Sequence, residues 1–317
     1  MTPPLTPPNP PDQPDPLDHL RRYAPIVDDL DAFLCAADRP LPRVVWANPL
    51  YGDPHAIDAE IRAECPAAEP VGWRPHTWRL PPDARPGRWL LHTLGAIYGQ
   101  EEAALWAGDL VGARPGERVI DLCASPGGKS AQIAIAMGDD GTLIANERSR
   151  GRLAALRHTL DRLGITCAIV TQHDGVRLPP LTGGYDRVLV DAPCTCEGTT
   201  RKTAGGRRSA PGIGYRDSVS QVQRALLRAG VRLARPGGTI VYATCTYAPE
   251  ENEATLDAID PGDAVIEPIE PPPGLRISPG LTAWEGRRFR PDVAHAARIW
   301  PHHNDTGGFF VARLRRL

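Results

Sequence analysis

The sequence predicts an α/β protein in which a mostly parallel sheet is covered by helices on both faces and a small α/β accessory domain comes first. Three observations carry this prediction. From about residue 100, short apolar strands alternate with amphipathic helices, the pattern of a parallel sheet wrapped on two sides. The segment VIDLCASPGGKSAQIA at 119–134 reads as strand, tight glycine-rich turn and helix, an arrangement that sets a ligand at the carboxyl ends of an open sheet. Finally, carboxylates close three successive strand regions, at Glu147, Asp174 and Asp191.

Taken in order, residues 1–16 hold eight prolines and no aromatic side chain, the composition of a disordered tail. A helical period begins at Leu17 and runs through Leu20, Tyr23, Val27, Leu30 and Leu34. A strand is expected over 42–47. Asp53 and Pro54 then supply an N-cap and a first-turn proline for a helix over 54–64. Short strands and turns fill 66–89, so 17–90 reads as the accessory domain and 91–317 as the main one. Within the latter, helices are expected over 100–113, 129–137, 149–163 and 218–234. Strands are expected over 118–122, 141–147, 166–171, 185–191 and 239–243, with GGFFVARLRRL at 307–317 as a closing strand.

Composition bounds what such a fold can do. The 317 residues are 41% hydrophobic and 23% charged, with 36 basic against 38 acidic residues, so a core of this size needs no disulfide staples. The N-terminus lacks the basic and apolar regions of a secretory signal, and no apolar run reaches the ~18 residues of a membrane span. Seven cysteines, an odd and sparse set, fit free thiols in a reducing, cytoplasmic setting. Only Lys129 and Lys202 are lysines among the 36 basic residues, which suggests a use for a compact ammonium at those places.

Two familiar phosphate-binding signatures fail at the glycine-rich turn. GxGxxG is absent, and Cys123 stands where a P-loop needs its first glycine. Gly127 and Gly128 are expected to let the backbone approach a ligand at the helix N-terminus. Glu147, about twenty residues past the turn, is placed to accept hydrogen bonds from ribose hydroxyls. With Asp174 and Asp191 it describes a cofactor cleft, although any one of them taken singly could be an N-cap or turn acid. Cys194 in DAPCTCEG and Cys245 in YATCTYAPEENE lie just past strand ends and face the same cleft. A metal site on Cys194, Cys196 and Cys245 is disfavoured, because CxC lacks the usual spacing and no fourth ligand is evident.

These pieces resemble the NOL1/NOP2/Sun (Fmu) family of RNA cytosine-C5 methyltransferases. The matching segments, in order and at the right spacing, cover most of 98–317. They are YGQEEAALWAGDLVGARPGERVIDLCASPGGKS, Glu147 with Arg152, Asp174, DAPCTCEGTTRK, LARPGGTIVYATCTYAPEENE and RIWPHHNDTGGFFVARL. The resemblance implies the class I S-adenosylmethionine-dependent methyltransferase fold, Rossmann-like, with a mostly parallel seven-stranded sheet. It implies Cys245 as the nucleophile that adds to cytosine C6, Cys194 as the thiol that assists product release, and Asp191 as the acid holding the base. S-adenosylmethionine would lie on Cys123, Ala124, Ser125, Pro126, Gly127, Gly128 and Lys129, with Glu147 on the ribose and Asp174 near the adenine, and with Arg152 and Asp191 also among the residues that bind it. Lys129 would contact the cofactor's carboxylate end or the catalytic acid. The sequence departs from the family at Thr195-Cys196, where Ser-Gly is usual, at Glu147, usually aspartate, and at Ser125, usually alanine.

The expected partner is RNA, ribosomal or transfer, with a slight lean to ribosomal. Residues 201–235 hold nine basic residues and one acid, Asp217. From this run Arg201, Lys202, Arg207, Arg208, Arg224 and Arg228 are expected to meet phosphates, against the alternative of a solvated helical face. A non-catalytic RNA-binding assembly factor, a DNA methyltransferase and a small-molecule methyltransferase stay open beside this reading. The sequence does not indicate an oligomeric state, and no membrane or metal partner is expected.

Overall fold

The computed structural model describes residues 17–202 and 212–317. The proline-rich tail and the expected phosphate contacts Arg207 and Arg208 lie outside the described residues. The apolar period after Leu17 becomes two elements, a 3-10 helix over Asp18–Ile26 and helix α1 (Leu30–Asp38). Val27 turns extended, and Asp29 caps α1 by accepting the Ala32 N–H at 2.9 Å, so the chain bends between them.

Next comes an antiparallel leaf. It contains β1 (Arg43–Ala47), α2 (Pro54–Glu64), β2 (Glu69–Pro70), β3 (Thr77–Leu80), α3 (Leu90–Thr93) and β4 (Ile97–Gly99), with strand order β2-β3-β1-β4. Alternation along β1 sends Val45 into the leaf's own core with Ile57, Ile61, Trp78 and Ile97. Val44 and Trp46 point the other way, onto the main domain. The accessory unit therefore runs past residue 90 to take in β4. It also does not include the segment before residue 39. There, Leu20, Tyr23 and Phe33 are buried against Tyr247, Trp284 and Trp300 of the main domain, because an aromatic shelf at the far end of the chain offers their apolar face a larger seat.

The main domain contains α4 (Glu102–Val111), β5 (Arg118–Asp121), α5 (Gly128–Ala136), β6 (Thr142–Asn146), α6 (Arg150–Arg162), β7 (Ala168–Thr171) and β8 (Tyr185–Asp191). It continues through α7 (Ile213–Leu233), β9 (Ala234–Thr244), α8 (Glu253–Leu256), β10 (Ala264–Glu267), β11 (Ser278–Pro279), β12 (Ala283–Trp284), β13 (Arg287–Arg288), β14 (Ala297–Ile299), α9 (Pro301–Asn304) and β15 (Phe309–Arg316). Its sheet has nine strands in the order β11-β14-β15-β9-β8-β5-β6-β7, with β10 paired to β15. The five strands from β9 to β7 are parallel, and β15 joins them antiparallel through Phe310↔Thr244 to Arg315↔Thr239. The expected seven strands are present; β10 and β11 are short additions at the antiparallel side.

Strand order reverses at β5, since β6 and β7 follow on one side while β8 and β9 lie on the other. Ligands bind at such a switch point, outside the carboxyl ends of the strands. Here it brings the tips of β5, β8 and β9 together. Asp191 pairs across to Ala243, two residues before Cys245.

Candidate active site

The cleft at this switch point is a cavity of about 850 Å³. Its walls include Cys123, Ser125, Pro126, Lys129, Glu147, Arg152, Asp174, Asp191, Cys194 and Cys245, ten of the residues the sequence placed at the site. Those residues come from the tips of five parallel strands and the turns that follow them.

At one end three thiols cluster. Cys194 Sγ lies 3.3 Å from Cys245 Sγ and 3.7 Å from Cys196 Sγ, and all three sulfurs fall within 4.8 Å of one another. Buried polar groups hold the two cysteine loops in this register. Glu251, fully buried, accepts the Thr195 N–H at 3.0 Å, the Thr195 hydroxyl at 2.6 Å and the Gln223 amide at 2.8 Å. Gln223 also donates to the Pro193 carbonyl, pinning the start of the same loop. Glu197 accepts the Tyr23 hydroxyl at 2.6 Å and the Thr246 hydroxyl at 3.0 Å, so the residue after Cys245 is tied to the residue after Cys196. Gly198 N–H donates to the Cys245 carbonyl at 3.0 Å. The sequence reading missed Glu197, Glu251 and Gln223. The acids stood inside quoted motifs, but nothing in their composition showed that they are buried.

Lys129, on the first turn of α5, donates to Asp191 Oδ2 at 2.7 Å and packs over the Phe309 ring. Burial alone pulls the ammonium's pKa down, yet the adjacent Asp191 carboxylate more than compensates and holds it raised. The result is a fixed cation beside the thiol cluster. Asp121, at the tip of β5, accepts the Ser130 hydroxyl at 2.7 Å and the Cys123 N–H at 3.2 Å; complete burial pushes it up to about 7. For Cys245, the hydrogen-bonding contact with the Cys194 thiol pulls its pKa down. The Cys196 contact, burial and the negative charge of Asp191 outweigh that, and the thiol stays raised. Cys194 is raised further, by Cys196, by Cys245 and by its burial.

At the other end, Glu147 accepts the Ser149 N–H at 2.7 Å through Oε1. Its Oε2 is buried and accepts no hydrogen bond, with the Arg152 guanidinium 3.3 Å away. Arg152 also donates to the Ser125 carbonyl at 2.5 Å, and Ser125 Oγ donates back to the Arg152 carbonyl at 3.1 Å, closing the glycine-rich turn against α6. Asp174 accepts the Val176 N–H and begins the next 3-10 turn.

Ala124, Gly127 and Gly128 do not line the cavity. Ala124 is buried, and its N–H donates to the Asn146 carbonyl. A Cβ on Gly127, whose φ is +111°, would sit 3.0 Å from Thr159 on α6, and one on Gly128 would sit 2.9 Å from the Tyr98 ring. Both glycines are required by close packing between elements, within the turn whose Ser125, Pro126 and Lys129 line the cavity.

The basic run also departs from expectation. Arg201 is buried; its guanidinium donates to the carbonyls of Arg39, Pro40 and Thr306 and to Asp305 Oδ1 at 2.6 Å, which commits four of its five N–H groups inside the protein. On α7, Val222 and Leu226 face the cleft, while Arg224 and Arg228, near the opposite side of the helix, line grooves with Glu250 and Asp257. The position of the Lys202 side chain lies outside what is described.

The family model described as 16S rRNA methyltransferase RsmB/F matches residues 110–315. The chain is 33% identical over 300 residues to the tRNA (cytosine(49)-C(5))-methyltransferase of Pyrococcus abyssi, covering 94% of this chain and 95% of that protein. It is 30% identical over 308 residues to ribosomal RNA small subunit methyltransferase F of Erwinia tasmaniensis, covering 95% of this chain but 63% of that longer protein. A solved methyltransferase homolog from Pyrococcus horikoshii has a TM-score of 0.82 at 27% identity, covering 96% of this chain and 100% of that one.

Proposed function

The chain belongs to the RsmB/F family of RNA cytosine-C5 methyltransferases, and on that premise we propose that it methylates its cytosine through a covalent bond from Cys245 to C6 of the base. The observation that carries this reading is the pair of sulfurs 3.3 Å apart at the base of a cavity that also holds the Lys129–Asp191 ion pair.

The far end of that cavity fits S-adenosylmethionine. Glu147 offers a buried carboxylate oxygen that accepts no hydrogen bond from the protein, as a ribose diol requires, and Asp174 and Arg152 flank it. Once bound there, the cofactor supplies an electrophilic methyl group on a sulfonium. Everything else is the work of the chain. Cytosine C5 is a poor nucleophile; when the Cys245 sulfur adds to C6, the ring becomes an enamine whose C5 can attack a methyl group. Asp191, held by Lys129, faces the same space and is placed to bond the polar edge of the base. The Lys129 charge favours the thiolate form of Cys245. Cys194, in contact with Cys245, is placed to take the C5 proton as the adduct breaks down. Since C5 and C6 of a stacked base are covered, the target is a loop or flipped nucleotide.

Two relatives support the RNA substrate from different sides. The one that the chain matches over nearly its whole length is named for tRNA, and the family model is named for 16S rRNA. Incubation with labelled S-adenosylmethionine and separate unmodified tRNA and small-subunit rRNA transcripts distinguishes them. Label in 5-methylcytosine with wild-type protein, and none with Cys245→Ala, is the expected result. Equal incorporation by Cys245→Ala would overturn the nucleophile assignment.

A further inference from the structure

Cys196 holds a backbone conformation that L-residues avoid. Its φ is +59°, in the left-handed region where glycine is at ease. Strain of this kind persists only where the surroundings enforce it, and it gathers at functional sites. Here it turns a thiol into the cavity, where the Cys196 sulfur joins Cys194 and Cys245 among the lining atoms. Its sulfur is 3.7 Å from that of Cys194 and within 4.8 Å of that of Cys245. Cys194 is the more deeply buried of the two neighbours, while Cys196 is half-buried and its thiol donates to the Cys194 carbonyl at 3.3 Å. The reaction needs one thiol to form the bond and one base to break the adduct down, so this chain carries one thiol more than the chemistry uses.

We propose that Cys196 is a second release thiol, able to take the C5 proton when Cys194 does not. The proposal rests on the reading of Cys245 as the nucleophile. After methyl transfer, C5 bears both hydrogen and methyl, and C6 is bonded to the Cys245 sulfur. Cys196, half-buried and having given its thiol proton to solvent, accepts the C5 proton. The C5–H electron pair becomes the C5=C6 double bond, the C6–S bond breaks, and its pair returns to Cys245 as thiolate. Cys196 ends as a thiol and Cys245 as a thiolate, with one proton released to solvent per methyl transferred.

The test compares wild type, Cys194→Ala, Cys196→Gly and the double variant Cys194→Ala/Cys196→Gly. Each is mixed with S-adenosylmethionine and the unmodified tRNA and small-subunit rRNA transcripts used above. Glycine suits the positive φ, so loss of the thiol is separated from loss of the fold, and a melting curve for each variant checks this. The denaturation-resistant protein–RNA adduct and multiple turnover are both read. Expected is that Cys194→Ala continues to turn over and carries at least tenfold less adduct than the double variant, which stops near one methyl per protein. Adduct in Cys194→Ala equal to that in the double variant would overturn the role of Cys196 and leave Cys245 as nucleophile. Absence of both adduct and methyl transfer from every protein, wild type included, would overturn the covalent reading and this proposal with it.

Discussion

Cys245 and Asp191 face one another because β8 and β9 run parallel in register, and a two-residue step past Ala243 places the thiol at the strand tip. Replacing Cys245 with alanine is expected to lower single-turnover methyl transfer on the order of 10⁴-fold or more, the scale of deleting a nucleophile, with little change in melting temperature. The pH dependence follows from the raised thiol. A group held above its ordinary value is mostly protonated at neutral pH, so the nucleophilic form grows as pH rises. Single-turnover rates should therefore climb about tenfold per pH unit from neutral through roughly pH 9, and keep climbing where a free thiol would already level off, because burial and its neighbours push Cys245 up to about 12. A flat profile over that range would refute it. Lys129→Met removes the nearby cation and should cut the rate by about 10²-fold while moving the rise to higher pH. That Cys194, Cys245 and Asp191 line one cavity was legible because strand ends can be counted from apolar runs, while Lys129, on α5, stood out as one of two lysines. That Gly127 and Gly128 pack against Thr159 and Tyr98 was not legible, because a glycine-rich turn has the same composition whatever comes close to it.

Loops, more than strands, decide where the two thiols sit. The Cys194–Gly198 loop and the loop leading into β15 meet glycine to glycine, with the Gly308 N–H donating to the Gly198 carbonyl at 2.9 Å. A Cβ on Gly198 would lie 2.2 Å from the Gly308 carbonyl oxygen, a backbone atom that cannot rotate away. Gly198→Ala is therefore expected to destabilise the fold by about 2–3 kcal/mol, and to slow methyl transfer in the protein that remains folded, because the loop also carries the hydrogen bond to Cys245. Urea denaturation and single-turnover assays on the same sample check the two effects. The parallel strands and their helices were readable from periodicity. The start of α7 at Ile213 and the strands β10 and β11 were not; they are short, or begin in a glycine-rich stretch, and their pairing depends on partners far along the chain.

Across the whole molecule, a basic run proved to be two different things. Arg201 ties the end of α1 to the segment before β15, through the carbonyls of Arg39, Pro40 and Thr306. Sequence alone cannot separate such a buried clasp from a phosphate contact, since both are arginines in a basic stretch. Arg201→Ala should cost about 3 kcal/mol of stability while leaving the salt dependence of RNA affinity unchanged; a phosphate contact would instead lower that slope by about one. The same long-range closure reaches the thiols, because Tyr23 braces Glu197 and is itself seated against Tyr247 and Trp284. During translation the residues around Tyr23 leave the ribosome more than 200 residues before Tyr247 and Trp284, on which they are seated. The nascent chain must carry Leu20, Tyr23 and Phe33 uncovered until Trp284 and Trp300 emerge. The two cysteine loops receive their last brace only then, so a ribosome-bound chain halted before β12 would hold Cys194, Cys245, Asp191 and Lys129 and still lack the packing of Tyr23 on Trp284.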